Sequence, residues 1–204
     1  KEMQLFDEKP LSDKKITGEV CVHHLWFTDA DYERLGTRIK WNPAVKTNTD
    51  RFELQQALIN NRLDVIATDH APHTLAEKEG GALSAASGGP LVQHSLQMMM
   101  QLVFKNIISK ELLVEKICHA PATLFGIKNR GFIREGYFAD LVLANPNSPY
   151  TITTDNILYK CGWSPLEGET LSSSVHTTIL NGRVVYQDGK VVDEPSGQML
   201  EFLR

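Results

Sequence analysis

Six residues, Asp64-Val65-Ile66-Ala67-Thr68-Asp69, restrict the fold of this chain more than any others. A short, nearly continuous apolar run ending in polar residues is how a buried parallel strand looks when its carboxyl end faces a site. Parallel strands are joined through helices, so helix and strand should alternate around it. The flanking sequence follows that pattern. Upstream, Ile16 to Phe27 is β-rich, with Val20 and Val22 alternating with Glu19 and Cys21. Thr28 can cap a short helix through Leu35, with Asp29 and Asp31 in its first turn. Trp41-Asn42-Pro43 stops regular structure, and Asp50 opens a helix with Leu54, Ala57, Leu58 and Leu63 on one face.

Downstream, a loop rich in Gly, Ala and Ser runs from Leu75 to Gly89. Pro90 suits the first position of a helix in which Val92, Leu96, Met99 and Val103 form an apolar stripe. Ser109 and Pro121 start two further helices, and Gly126 ends the second. From Gly131 the character changes. Ala139 to Leu143 reads as a strand, and Asn181-Gly182 and Asp188-Gly189 are turn signals flanked by alternating residues, as in β-hairpins. The boundary falls near 128–131, with residues 1–129 forming an α/β unit and 130–204 a small β-sandwich-like domain.

Composition removes some functions. A net charge of -4, a pI near 6.0 and no Lys/Arg cluster argue against a nucleic-acid surface. No apolar stretch approaches the roughly 20 residues of a membrane span. The three cysteines, Cys21, Cys118 and Cys161, lack metal-finger spacing, which fits reduced thiols in a cytoplasmic protein. Lys1 to Phe6 reads as a helix already under way, with neither initiator Met nor signal peptide. The expectation is a chain cut from something longer.

The richest chemical cluster is Ala67-Thr68-Asp69-His70-Ala71-Pro72-His73-Thr74. It places a carboxylate at the end of an apolar strand and two histidines in the loop beyond, the edge that is the active-site face of an eight-stranded α/β barrel. A carboxylate there can bind a divalent metal and take a proton from metal-bound water. The plainer reading is an Asp capping a helix beside two surface histidines. His23-His24 is a second candidate, but neighbours on a strand point to opposite faces and cannot both ligate one ion. A structural role is favoured for that pair, and for His94, His119 and His176. Asn42-Pro43, between Lys40 and Lys46, can present backbone groups to an anionic substrate or be simply a turn. The glycines at 80–81 and 88–89 bracket a loop that can move over a ligand or merely follow a tight path. Catalytic zinc usually takes three or more protein ligands, and only Asp69 is well placed. The expectation is part of a metal site.

These motifs resemble the dihydroorotases of the amidohydrolase superfamily. Ile66 to Thr74 is similar to their last metal-site motif, and Glu19-Val20-Cys21-Val22-His23-His24-Leu25 to the strand before it, where Pro commonly replaces Val22. Lys40 to Lys46 resembles a family loop usually ending Pro-Pro-Leu-Arg, from which Ala44 and Lys46 depart. His119 to Gly126, with Gly131-Phe132-Ile133 and Gly136 to Val142, resembles segments shared across the superfamily. Cys161 to Pro165 and Thr178 to Gly182 resemble the dihydroorotase tail.

The resemblance implies the C-terminal part of a (β/α)8 metal-dependent hydrolase barrel, with strands seven and eight, plus most of a small β domain. It implies one or two divalent ions, zinc by preference, with Asp69 as the one ligand matched here. The implied reaction is reversible hydrolysis of the ring amide of dihydroorotate to carbamoyl aspartate. Asp69 would act as base and then acid, while His73, Asn42 and Gly88 would bind a small-molecule substrate. An amino-terminal half of the same protein is the expected partner. This chain alone is expected to be inactive, and a homodimer stays open. Allantoinase or dihydropyrimidinase is the alternative within the class, and a non-catalytic amidohydrolase-like assembly protein the alternative outside it.

Overall fold

The computed structural model describes residues 1–192 and 196–203. Its first regular element is a single 3-10 turn, Glu2–Leu5, shorter than the helix expected there. Strand β1, Glu19–Cys21, runs directly into helix α1, Val22–Trp26. The Val20/Val22 alternation therefore misleads after Cys21. Val22 and Leu25 stand one helical turn apart, and both are buried. Helical spacing lets them meet the core together.

Thr28 and Asp31 form a reciprocal capping box before the short helix α2, Tyr32–Leu35. The Asn42–Pro43 peptide is cis. Helix α3, Asn48–Ile59, begins after Thr47, whose hydroxyl accepts the Asp50 N–H at 3.2 Å, so Asp50 is its third residue and not its first. Strand β2, Val65–Ala67, pairs in parallel with β1 in the register Glu19↔Val65, Val20↔Ile66, Cys21↔Ala67.

After the loop and a single turn, α4 (Gly81–Ser84), helix α5 spans Ser95–Phe104. Pro90 does not open it. Residues 88–94 are loop and turn, with Gly88 at φ +129°, and the Gly89 bridge to His70 together with the Leu91 and Val92 amides donated to the His70 ring ties them to the loop after β2. Helix α6, Lys110–Val114, is capped by Ser109 as expected. It continues through a π turn, Glu115–His119, into α7, Ala120–Leu124. Pro121 thus sits inside a continuous helical run, and the wide turn before it absorbs the missing amide bond. Gly126 ends that run with φ +62°.

The rest is antiparallel β. Strands β3 (Leu141–Asn145), β4 (Tyr150–Thr151), β5 (Thr170–Leu171), β6 (Ser174–Leu180), β7 (Arg183–Gln187) and β8 (Lys190–Val191) follow. They make a four-stranded sheet, β3-β6-β7-β8, and the separate pair β4-β5. Asn181-Gly182 and Asp188-Gly189 turn with both residues at positive φ, as two-residue hairpins require. One buried cluster joins Leu25, Phe27, Ile39, Leu58, Met98 and Met99 to Ile152, Leu166 and Leu171. Residues 150–171 therefore pack on the same core as α3 and α5.

Beneath the parallel pair lies a closed polar knot. The Lys14 ammonium meets Asp64 at 2.7 Å, with the two side chains 1% and 0% exposed. Asp64 also accepts the Gly18 N–H at 2.9 Å, and Lys14 donates to the Asn61 carbonyl. Lys116 reaches the Asn61 side chain at 2.5 Å. Each buried charge of the knot has an opposite charge within 4 Å: Lys14 with Asp64, and Lys116 with Glu115.

Candidate active site

The carboxyl ends of β1 and β2 open onto the same edge, where the chain must turn away without covering it. Asp69 makes that turn with φ +46°. Asp and Asn tolerate the left-handed region better than other residues with a side chain. Its carboxylate is exposed. Two neighbours register its charge. The Cys21 thiol is pushed up to about 12, by burial first and then by Asp69. His24 is lowered by burial, with the Pro43 carbonyl and, more weakly, Asp69 opposing.

The loop after Asp69 is fixed by backbone. His70 pairs with Gly89 in an isolated parallel bridge, and the Ala71 N–H donates to the Gly89 carbonyl at 3.2 Å. The His70 Nδ1 accepts from the Leu91 N–H at 3.1 Å, which leaves the proton of the neutral ring on Nε2. The His73 carbonyl accepts from the Trp163 indole at 2.8 Å, and its Nδ1 stands 3.7 Å from Glu77. Glu77 is held below the usual carboxylate range by the Thr74 amide and hydroxyl.

Gly88, at φ +129°, lies against this loop. A Cβ there would come 2.5 Å from the Ala71 Cβ and 3.2 Å from the His73 ring, so only glycine lets the two segments meet. The Gly88 N–H donates to the Lys40 carbonyl at 2.9 Å, which fixes the 40–43 segment beside them. The fold thus packs His73 against Gly88 in the loop that Asp69 opens. Asn42 sits on the rim of this mouth, exposed, two residues from Lys40.

His23 and His24 lie on α1 and not on a strand, so the opposite-faces argument does not apply to them. His23 is 0% exposed and stacks on Trp41, with ring centroids 4.3 Å apart and planes 7° apart. Burial lowers it to about 3, with His24 adding to the effect; the Thr68 backbone opposes but is not in hydrogen-bonding geometry with either ring nitrogen. It is part of the floor. The His24 Nε2 lies 3.0 Å from the Pro43 carbonyl and braces the rim.

Sequence reading passes over Lys78, which lies in a polar stretch with no periodicity. The structure buries it beneath the mouth at 2% exposure, donating to the carbonyls of Gly88 (2.6 Å), Ala86 (2.7 Å) and Lys40 (3.1 Å). A lone Lys between two glutamates, just before the glycines at 80–81, gives no warning of this.

No group of three His, Cys, Asp or Glu side chains among the described residues could hold a metal ion. Asp69, exposed and acceptor-only, suits a hard divalent ion as a single oxygen ligand.

Comparison with known proteins places the fold. The sequence pattern described as the amidohydrolase family matches residues 4–185. The chain belongs to the amidohydrolase family. It is 35% identical over 185 residues to the dihydroorotase of Pyrococcus furiosus, covering 91% of this chain and 43% of that protein. With the dihydroorotase of Clostridioides difficile it shares 37% identity over 172 residues, or 84% and 40% of the two chains. Among solved structures, an L-hydantoinase (dihydropyrimidinase) from Arthrobacter aurescens superposes with a TM-score of 0.88 at 29% identity, over 97% of this chain and 45% of that one. The chain therefore spans less than half the length of the relatives it matches. Its α/β architecture is that of part of an amidohydrolase (β/α)8 barrel with a small β domain, as the sequence motifs imply. No helix among the described residues is long and apolar enough to cross a membrane.

Proposed function

We propose that these residues belong to a dihydroorotase, which opens the ring amide of dihydroorotate to carbamoyl aspartate. The observation that carries the reading is the exposed, left-handed Asp69 at the end of β2, in a loop whose His73 is packed against Gly88. Dihydroorotases at 35–37% identity over most of the chain support it. In this reading residues 1–129 are the C-terminal part of the barrel and 130–204 the small β domain. An amino-terminal half of the same protein supplies the remaining metal ligands, and without it the 204-residue chain is inactive.

Asp69 would hold one or two divalent ions together with those ligands, zinc being the choice for mixed nitrogen and oxygen donors. The ion supplies polarisation of the ring carbonyl and eases deprotonation of water. Asp69 accepts the proton of the attacking water, the carbon–nitrogen bond of the ring breaks, and Asp69 returns the proton to the leaving nitrogen. His73, oriented by Glu77, donates to the substrate carboxylate, and the Asn42 and Gly88 backbone closes around the ring. This is work for a cytoplasmic enzyme of pyrimidine biosynthesis.

A second reading is a hydantoinase or dihydropyrimidinase, favoured by the superposition on the Arthrobacter enzyme. The deciding experiment assays the full-length, metal-loaded protein with dihydroorotate, dihydrouracil, hydantoin and allantoin. Ring opening of dihydroorotate well above the others is expected. Preference for a neutral ring would overturn the reading, and no turnover of any ring would favour a non-catalytic assembly role.

A further inference from the structure

Three lysine side chains of this chain are buried, and one is treated differently from the other two. Lys14 has Asp64 at 2.7 Å, and Lys116 has Glu115 at 3.7 Å. Lys78 has three carbonyl oxygens and, among the described residues, no carboxylate within ion-pair distance. An ammonium has three N–H donors, so the tripod satisfies its hydrogen bonds completely and its charge not at all. Burying a cation without a counter-charge is costly to folding, and the fold supplies a counter-charge for Lys14. A neutral residue would serve a purely structural loop at lower cost.

The three carbonyls are those that define the mouth. Gly88 abuts the His73 ring, Ala86 leads into it, and Lys40 carries the chain to Asn42. The Lys40 carbonyl accepts from both Lys78 and the Gly88 amide, so the ammonium fixes the spacing between the Asn42 rim and the Asp69–Thr74 loop. In a poorly solvated setting the field of an unneutralised charge reaches further than in water.

We propose that Lys78 is the positioning and charge-selecting residue of this mouth, a role resting on the cyclic-amide reading above: its buried ammonium sets the distance between the two substrate-facing segments and makes the mouth prefer a ring bearing a carboxylate over a neutral ring. The groups facing it are few. Lys40, from the 36–43 segment, adds like charge, and residues 85–89 carry no titratable side chain. On its own turn, Glu77 is engaged by Thr74 and His73, and Glu79 is exposed. Burial first, and Lys40 second, lower Lys78 to about 8. The preference should therefore be full at neutral pH and fade as pH rises through about 8. Stability runs the other way: above the folded value the native state has already shed a proton that the unfolded chain still holds, so this group favours folding more as pH climbs toward 10.5.

The test uses full-length protein and two flat rings that differ by a carboxylate, orotate and uracil, with affinities measured by calorimetry from pH 6.5 to 9. In the wild type, orotate should bind more tightly at pH 7 and lose that advantage above about 8. Lys78→Met loosens the spacing for both rings and removes the charge, so it should weaken orotate about tenfold or more beyond whatever it does to uracil. Lys78→Arg, which cannot deprotonate in this range, should keep the preference to pH 9. Equal weakening of both rings would mean ordinary loosening and overturn the proposal. So would a preference that survives Lys78→Met, a flat wild-type pH profile, or no wild-type preference at all. The wild-type profile needs no variant, so a Lys78→Met protein that fails to fold leaves the proposal open to refutation. Turnover of dihydroorotate is scored separately. Its absence in a protein that prefers orotate removes the dihydroorotase reading, and Lys78 is still decided by the binding ratio.

Discussion

The two ends of the β1–β2 pair are built to opposite rules. At the amino end, Lys14, Asp64, Gly18 and Asn61 form a knot in which the buried charges are paired and the surrounding donors and acceptors used. At the carboxyl end, an exposed carboxylate sits in the left-handed region, a buried cation has no counter-ion, and a buried imidazole stacks with neither nitrogen bonded. The first end spends its polar groups on holding the strands together. The second leaves polar groups uncommitted, as a site must if a substrate is to complete them. In barrels of this type the division between a stabilising face and a working face is general, and here three residues of β2 separate them.

Four experiments would break or sharpen that contrast. On the proposed function, the largest effect is expected from Asp69→Asn in the full-length protein. Turnover should fall by about 10³-fold or more, since both proton transfers lose their carrier, while the melting temperature stays near wild type. Near-normal turnover would take Asp69 out of the mechanism. Next is Asp64→Ala at the opposite end. It strands the Lys14 ammonium and should cost about 3–5 kcal/mol in denaturant unfolding, with turnover per folded molecule intact. If activity falls in step with Asp69→Asn, the two ends are not separate.

A smaller effect tests the floor of the site through pH. His23 is held neutral in the folded chain, lowered to about 3, and His94 is lowered by burial to about 4. Below 6.5 the unfolded chain binds protons that the folded chain refuses, so stability should fall as pH drops from about 6.5 toward 4. His23→Phe keeps the stack on Trp41 and removes the titration. It should be more stable than wild type by on the order of 2 kcal/mol at pH 5, judged from an ordinary imidazole value of about 6.5. Equal urea midpoints for the two proteins at pH 5 would show that His23 is already protonated in the native state. The smallest effect, and the calibration for the rest, is Thr47→Ala at the cap of α3. Loss of its reciprocal bonds with Asp50 should cost about 1 kcal/mol by thermal melting and leave kinetics unchanged.

How far the sequence reveals these two ends depends on what kind of signal each residue leaves. The apolar run from Val65 to Ala67 and the polar residues after it mark a strand because burial on both faces leaves no alternation to confuse. The two hairpins show because Asn-Gly and Asp-Gly are the residues that tolerate both positive φ values. Val22 and His23 mislead because five residues of helix cannot establish a period, and their α1 geometry is imposed by packing on α3 and α5. Pro90 misleads because residues 89–92 are tied to distant His70 by a bridge and two amide bonds, so the helix begins only at Ser95. In the mouth, Asp69, His73 and Gly88 stand out as residue types, whereas Lys78 does not. Its importance lies in three backbone carbonyls, and carbonyls have no letter in a sequence.

The left-handed backbone at Asp69 also bears on what this position can become over generations. Shape admits aspartate, asparagine, histidine and glycine with little strain, whereas the proposed proton transfer beside a hard divalent ion calls for a carboxylate oxygen. The two sets share one member. A lineage that drifts at this codon has no neighbouring residue that keeps both the turn and the carboxylate, so its loss would end the proposed role in one step while the fold carried on undisturbed.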